Sequence, residues 1–407
     1  MKRLSLLFLI AALAFAGCDP ADMGDDNNEP PTEQNPGGEG DNTDNPDDPD
    51  NPGGDNGDNE GDNTDPAEPE EPEVEKIPDE LPDLPFEYEW VIVAADGTGD
   101  YRSVAEAINK TNSAKYKIFH IRPGVYYEKI KVNKSKVILY GDNPETTILT
   151  YDDYSGRPLN STGTSTVGTQ DSASFTANAA DFMAINITFE NTHKNNTGSG
   201  DQAVAVAVMD DRAAFYNCRL LGYQDTFYPK NVARVYCKDC YIEGNVDFIF
   251  GDAVLLCENC TLCCNRDGSA LTAPSSRPDS KFGFVFMDCT ITAIEGNAFN
   301  GKPVNTIYLG RAWHYNAQAV YIRCEEPECV APAGWMPRMS DDATEFRFAE
   351  YQCTGPGAAP ERLAKRENNG RLLTDEEAAE FTRENIFSAD TYSKYSTDWT
   401  PMEPFSL

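Results

Sequence analysis

An Asn or Asp followed by an apolar residue returns along this chain at Asn186-Ile187, Asn217-Cys218, Asp239-Cys240, Asn259-Cys260 and Asp288-Cys289, with a looser copy at Arg323-Cys324. Two residues after the apolar member of the first five stands a second apolar side chain: Phe189, Leu220, Ile242, Leu262 and Ile291. The intervals are 31, 22, 20, 29 and 35 residues. A floor near 20 with variable additions is what a coiled solenoid produces when each turn keeps a strand core and takes insertions in its loops. From Trp90 onward, short β-branched and aromatic runs alternate with turn residues, and helical periods are few. These features predict an all-β chain, a parallel β-helix with the repeated apolar residues stacked inside. A β-sandwich is the competing fold, since alternating strands alone suit both.

Near the C-terminus, Thr374 and Glu377 have the spacing of a capping box, and Ala378, Phe381 and Ile386 fall on one helical face. A short helix packed back on the solenoid is expected there.

The formal charge of -35 is unevenly spread, because 25 of the 68 acidic residues precede Leu84. Residues 19–85 are built from Asp, Asn, Glu, Gly and Pro, with too little apolar surface to offset the entropy of ordering, so a disordered acidic tether is expected. The remainder, residues 86–407, is long enough for one large core and is not basic enough to suggest nucleic acid. Residues 1–18 place Lys2 and Arg3 before the apolar run Leu4 to Phe15 and then Ala16-Gly17-Cys18, an export signal too short to span a membrane. Small residues directly before a cysteine resemble the lipobox of bacterial lipoproteins, although Phe15 replaces the usual Leu. That resemblance implies lipidation of Cys18 and a catalytic domain anchored to a membrane, periplasmic or on the cell surface. The alternative is a soluble secreted protein.

Cys237-x-x-Cys240 and Cys257-x-x-Cys260 have zinc-site spacing. The interior column accounts for Cys240 and Cys260 as small hydrophobes and for Cys218 and Cys289 as well, so no metal and no other cofactor is expected. Cys237 and Cys257 should lie one coil apart, close enough for a disulfide in an exported protein.

In a coil of about 22 residues, positions 22 apart lie above one another at roughly the 4.8 Å strand spacing. Gln202 and Gln224 are 22 apart, as are Asp225 and Asp247 and the column markers Cys218 and Cys240. The fold therefore stacks two carboxylates beside two carboxamides. Adjacent carboxylates do not both ionise readily, which yields one nucleophile or base and one acid. Two amides supply N–H donors for an oxyanion without adding charge. Asp247 stands 13 residues before Cys260 and Arg311 stands 13 before Cys324, which puts them in one column two coils apart. The set suits acyl transfer on an ester. A serine route lacks its Gly-x-Ser-x-Gly elbow, and only His120, His193 and His314 are present as bases.

Gly222-Tyr-Gln-Asp-Thr226, Val246-Asp-Phe-Ile-Phe-Gly251 and Leu309-Gly-Arg-Ala-Trp313 resemble the three signature blocks of the pectin methylesterases. Val93 to Tyr101, Ile121 to Glu128, Gln202-Ala-Val-Ala205, Pro332-Ala-Gly-Trp335 and Glu350 to Gly357 resemble further blocks, in order, over residues 90 to 405. The resemblance implies a right-handed parallel β-helix, methyl-esterified polygalacturonate (pectin) as substrate, and a monomer without metal. It implies Asp247 as nucleophile, Asp225 as acid and then base, Gln202 and Gln224 as the oxyanion site, and Arg311 as the group that holds Asp247 ionised. Trp313, Tyr228, Phe250, Val246 and Phe175 would line the sugar cleft. Asp201 stands where many members have His, and Phe227 where many have Leu. A glycosidase or lyase on the same solenoid, and a non-catalytic carbohydrate-binding solenoid, are the alternatives; the paired glutamines and the arginine favour the esterase.

Overall fold

The computed structural model describes residues 83–194, 201–294 and 301–405. Residues 1–18 with Cys18, and the tether up to residue 82, lie outside the described residues. Among the described residues the sheet strands all pair in parallel, which excludes the sandwich, and they form one sheet of eleven and two of seven; an antiparallel bridge, Pro158 to Thr166, is isolated in a loop. Seven successive coils contribute one strand to each sheet, and the long sheet has four further strands, one before and three after them. The long sheet runs from Tyr88–Val93 to Gly370–Leu372; the cleft sheet runs from Ile130–Val132 to Ile307–Gly310; the third runs from Gly124–Tyr127 to Thr290–Ala293.

The repeat in the sequence marks the corner between the long and third sheets. Asn186, Asn217, Asp239, Asn259, Asp288 and Arg323 all have φ between 47° and 57°. Asn and Asp tolerate this left-handed backbone better than other residues with a Cβ. The corners also bond to each other between coils, Asn217 Nδ2 to Asn186 Oδ1 at 2.7 Å and Arg323 to both carboxylate oxygens of Asp288. Gln352, with φ of 49° and Cys353 behind it, continues the series one coil further.

Behind the corner, Ile187, Cys218, Cys240, Cys260, Cys289 and Cys324 stack in the interior core. Phe189, Leu220, Ile242, Leu262 and Ile291 are successive register partners in the same core. The cysteines are therefore packing residues. Cys237 and Cys257 are register partners on the long sheet, as expected from one coil of separation, and both are free thiols.

Both ends of the solenoid are covered. The helix Val104–Lys110, which the low helical periodicity did not signal, buries Val104, Ala107 and Ile108 over the first coil. The Glu128 carboxylate accepts from the Val104 and Ala105 amides and the Ser103 hydroxyl, satisfying donors at the helix start. At the other end Trp335 stacks on Phe348 with centroids 4.3 Å apart, and buried Arg366 bridges Glu326 and Glu350.

The C-terminal capping box is present at Thr374 and Glu377, but the helix it starts ends at Ala379. Thr382 then caps a second short helix, Arg383–Ile386. Ala378, Phe381 and Ile386 do share one apolar surface, across two helices rather than along one, because the Thr382 side chain takes the Asn385 amide and restarts the backbone pattern. This segment packs on the outer face of the long sheet. Buried Arg234 pairs with Asp211 and donates to the Phe387 and Thr397 carbonyls, while Phe405 stacks on Tyr140.

Candidate active site

The strands of the cleft sheet alternate cleanly. Phe175, Val206, Phe227 and Ile249 enter the core, while Ala207, Tyr228, Phe250 and Ala273 face outward as a separate apolar cluster with Trp313 against it. Tyr228 and Phe250 stack with centroids 4.1 Å apart and planes 13° apart, and Trp313 meets Phe250 at 5.8 Å. This outward strip floors a cavity of about 320 Å³.

Asp225 and Asp247 each stand just before a cleft-sheet strand, on adjacent coils, with φ of 67° and 52°. Their left-handed backbones turn the chain as it enters the strand. The Asp225 amide donates to the Val246 carbonyl at 3.2 Å, and the Asp247 amide donates to the Ala270 carbonyl at 2.8 Å. Both side chains line the cavity and are nearly buried, at 8% and 4% exposure. Gln202 and Gln224 line it too, and their segments are stacked, the Ala203 amide donating to the Gln224 carbonyl at 3.1 Å.

Arg311 reaches Asp247 from two coils away, as the shared offset of 13 residues predicts. Its Nε donates to Oδ1 at 2.8 Å and its Nη2 to Oδ2 at 2.5 Å, a bidentate pair. The preceding Gly310 permits this approach: a methyl group there would lie 2.2 Å from Thr272 Oγ1, beside the Thr272 carbonyl that accepts the Arg311 amide.

The two carboxyls are electrostatically unequal. Burial pushes Asp225 well above the ordinary carboxylate range, and the neighbouring Asp247 charge pushes it further, with Arg311 opposing. Burial raises Asp247 as well, but its hydrogen bonds and charge pairing with Arg311 counter the rise. One acid and one arginine-held carboxylate in a single cavity suit nucleophilic attack followed by proton transfer.

Two expected cleft residues are placed elsewhere. Phe175 is 1% exposed and packs on Phe182 and Phe189 inside the solenoid, because it is the register partner of inward Val206; Thr176 is the outward residue of that strand. Val246 is half-buried and outside the cavity lining; its carbonyl serves the Asp225 amide. Residues the sequence did not single out complete the walls: Thr169, Gln170, Lys230, Ala273 and Met339. Thr169 and Gln170 end a loop tied at its start by Asp153. Burial of that carboxyl is outweighed by Arg157 and Lys129, which hold it down at about 2. His193 stacks on Tyr154, His314 contacts Asp342 and His120 contacts Asp142, so none of the three lines the cavity.

The family described as Pectinesterase matches this chain over residues 90–390. Pectinesterase 31 of Arabidopsis thaliana is 35% identical over 304 residues, covering 73% of this chain and 91% of that protein. Relatives named for both a pectinesterase and a pectinesterase inhibitor are longer, and this chain spans 41% of one of them from Arabidopsis thaliana, at 35% identity. The pectin methylesterase from carrot superposes with a TM-score of 0.63 at 31% identity, covering 78% of this chain and 97% of that one. Pectin methylesterase PemA from Erwinia chrysanthemi gives 0.64 at 26% identity, covering 78% and 99%. The right-handed parallel β-helix is common to this chain and these enzymes. Family match and fold agree over the part of the chain that builds the cavity, and the chain therefore belongs to the pectinesterase family.

Proposed function

We propose that this pectin methylesterase hydrolyses methyl esters of polygalacturonate through a covalent intermediate on Asp247. The observation that carries the reading is the inequality of two buried carboxyls in one cavity, of which only Asp247 is paired with Arg311. An Asp247 oxygen attacks the ester carbonyl, and amide N–H groups of Gln202 and Gln224 stabilise the oxyanion. Protonated Asp225 gives its proton to the departing methoxide, which leaves as methanol. Asp225, now a carboxylate, takes a proton from water, whose oxygen attacks the acyl carbon; Asp247 departs as carboxylate and the uronic acid is freed. Tyr228, Phe250 and Trp313 provide the apolar floor on which sugar rings pack.

The deciding assay supplies methyl-esterified pectin and measures methanol, new reducing ends and unsaturated product together. Methanol alone is expected. Reducing ends would indicate a glycosidase and unsaturated product a lyase.

Removing Arg311 takes away the charge that opposes the burial-driven rise at Asp247. The carboxyl must ionise to attack, so the acidic limb of the kcat/KM profile should move to higher pH in Arg311→Ala. An unmoved limb with a merely lower plateau would assign Arg311 to substrate binding. Gln224→Ala should lower kcat by about 10²- to 10³-fold, the usual consequence of losing one oxyanion donor. A change confined to KM would remove it from that role.

We infer further that residues 1–18 direct export and that Cys18 carries a lipid, with residues 19–85 as a tether to the catalytic domain and the enzyme acting as a monomer. Support comes from the apolar run before Ala16-Gly17-Cys18 and from the acidic, Pro- and Gly-rich composition that follows. Cys18→Ser should move the protein from the detergent-extracted membrane fraction to the soluble fraction. A membrane-bound Cys18→Ser protein would contradict the anchor.

A further inference from the structure

The last residue of the strand Thr188–Asn191 shares the inward phase of Phe189, but it is polar. Asn191 is 1% exposed and stands where the chain leaves the third sheet and turns toward the cleft sheet. A carboxamide buried at such a corner costs stability unless its hydrogen bonds are made. Its Nδ2 donates to three carbonyls, those of Asp153 at 2.9 Å, Val204 at 3.0 Å and Ser172 at 3.4 Å, and its Oδ1 accepts from the His193 amide at 3.0 Å.

These carbonyls belong to two segments that build the wall of the reaction cavity. Asp153 and Ser172 bracket the insertion between the strands Thr147–Tyr151 and Phe175–Ala177 of the preceding coil, and that insertion brings Thr169 and Gln170 to the cavity. Val204 lies two residues after Gln202, on the same coil as Asn191 and ahead of the strand Val206–Val208. One side chain therefore ties the base of the insertion to the segment that carries Gln202. The two segments are joined again on either side of it: the Ser155 amide donates to the Gln202 carbonyl at 2.8 Å, and Ser172 Oγ accepts from the Val204 amide at 3.2 Å while donating to the Thr169 carbonyl at 2.7 Å. Asp153, whose carbonyl Asn191 takes, has its carboxylate held by Lys129 and Arg157. Gln202 is thus backed by an insertion whose two ends meet on Asn191.

We propose that Asn191 is a positioning residue for ester hydrolysis, clamping the insertion against the Gln202 segment and so aiming the Gln202 carboxamide at the oxyanion. This rests on the oxyanion role given to Gln202 above. Asn191 is outside the lining of the reaction cavity, so it acts through Gln202 and not on the substrate. An oxyanion donor works only when it is aimed in advance at the place where charge develops, so a small displacement slows the chemical step and leaves substrate binding in place.

The test is a double-mutant cycle on methanol release from methyl-esterified pectin, with kcat and KM read separately and melting temperatures beside them. Asn191→Ala should lower kcat by about 10- to 100-fold, as misplacement of a reacting group does, with KM changed by less than about twofold. Gln202→Ala should lower kcat by about 10²- to 10³-fold. Adding Asn191→Ala to it should cost no more than about a further twofold, because the group being aimed is gone. Ser172→Ala removes one hydroxyl of the same junction and should show the same pattern with a smaller loss of kcat, which keeps the proposal testable if Asn191→Ala does not fold. The same factor lost with and without Gln202, a change confined to KM, or a lower melting temperature at parental kcat would make Asn191 a structural residue only, while the ester-hydrolase reading stands. A parent that releases no methanol, or a Gln202→Ala protein with parental kcat, would defeat the ester-hydrolase or the oxyanion reading itself, and the positioning role with it.

Discussion

Asp247→Asn should abolish turnover, lowering methanol release by several powers of ten with the fold intact. The carboxamide keeps the volume of the side chain and a partner for one Arg311 donor, so the surrounding structure has little reason to change. It cannot attack an ester carbonyl, and among the described residues the cavity offers only one other carboxyl, Asp225, which burial and the neighbouring Asp247 charge push well above the ordinary carboxylate range. Losing a nucleophile costs far more than losing an oxyanion donor, since the covalent route closes altogether. The check is methanol release beside the melting temperature. More than about a tenth of wild-type turnover in a normally folded variant would reduce Asp247 to a structural carboxylate.

Asp225→Asn should be nearly as slow, by a different route. The nucleophile and the oxyanion site remain, but nothing protonates the departing methoxide or activates water, so the acyl-enzyme that does form should persist. The same variant should be more stable than the parent at neutral pH. A carboxyl whose folded pKa lies above its unfolded value of about 3.9 contributes its full stability below that value, and the contribution is lost as pH rises through the folded pKa. An amide has no such dependence. The melting-temperature advantage of Asp225→Asn should therefore open above about pH 4 and level off beyond the folded pKa. A constant difference across that range would mean that Asp225 is not held protonated.

Much of this molecule is legible because a solenoid turns sequence spacing into spatial neighbourhood. Asn217-Cys218 and Asp239-Cys240, 22 residues apart, stack directly, and the same offset brings Asp225 over Asp247. Even the reach of Arg311 to Asp247 across two coils follows from a shared distance to a column cysteine. What spacing does not carry is phase within a strand. Phe175 has the aromatic character of a cleft residue, but it aligns with Val206 and Phe227, both inward, and that register was the available signal against it. Thr169, Gln170 and Met339 were not legible because they stand on loops between strands, where the repeat holds nothing constant. The helix Val104–Lys110 is too short to establish a period, and its stability comes from Glu128 at its start and the coil beneath it.

The covalent route is tested most directly by mapping the intermediate. Asp225→Asn protein mixed with a methyl-esterified oligogalacturonate, quenched in acid and digested, should yield a peptide containing Asp247 that is heavier by the oligomer less methanol. The Asp247→Asn protein treated identically should yield none. Methanol release by Asp225→Asn without an adduct at any quench time, or an adduct on a different residue, would contradict Asp247 as the nucleophile.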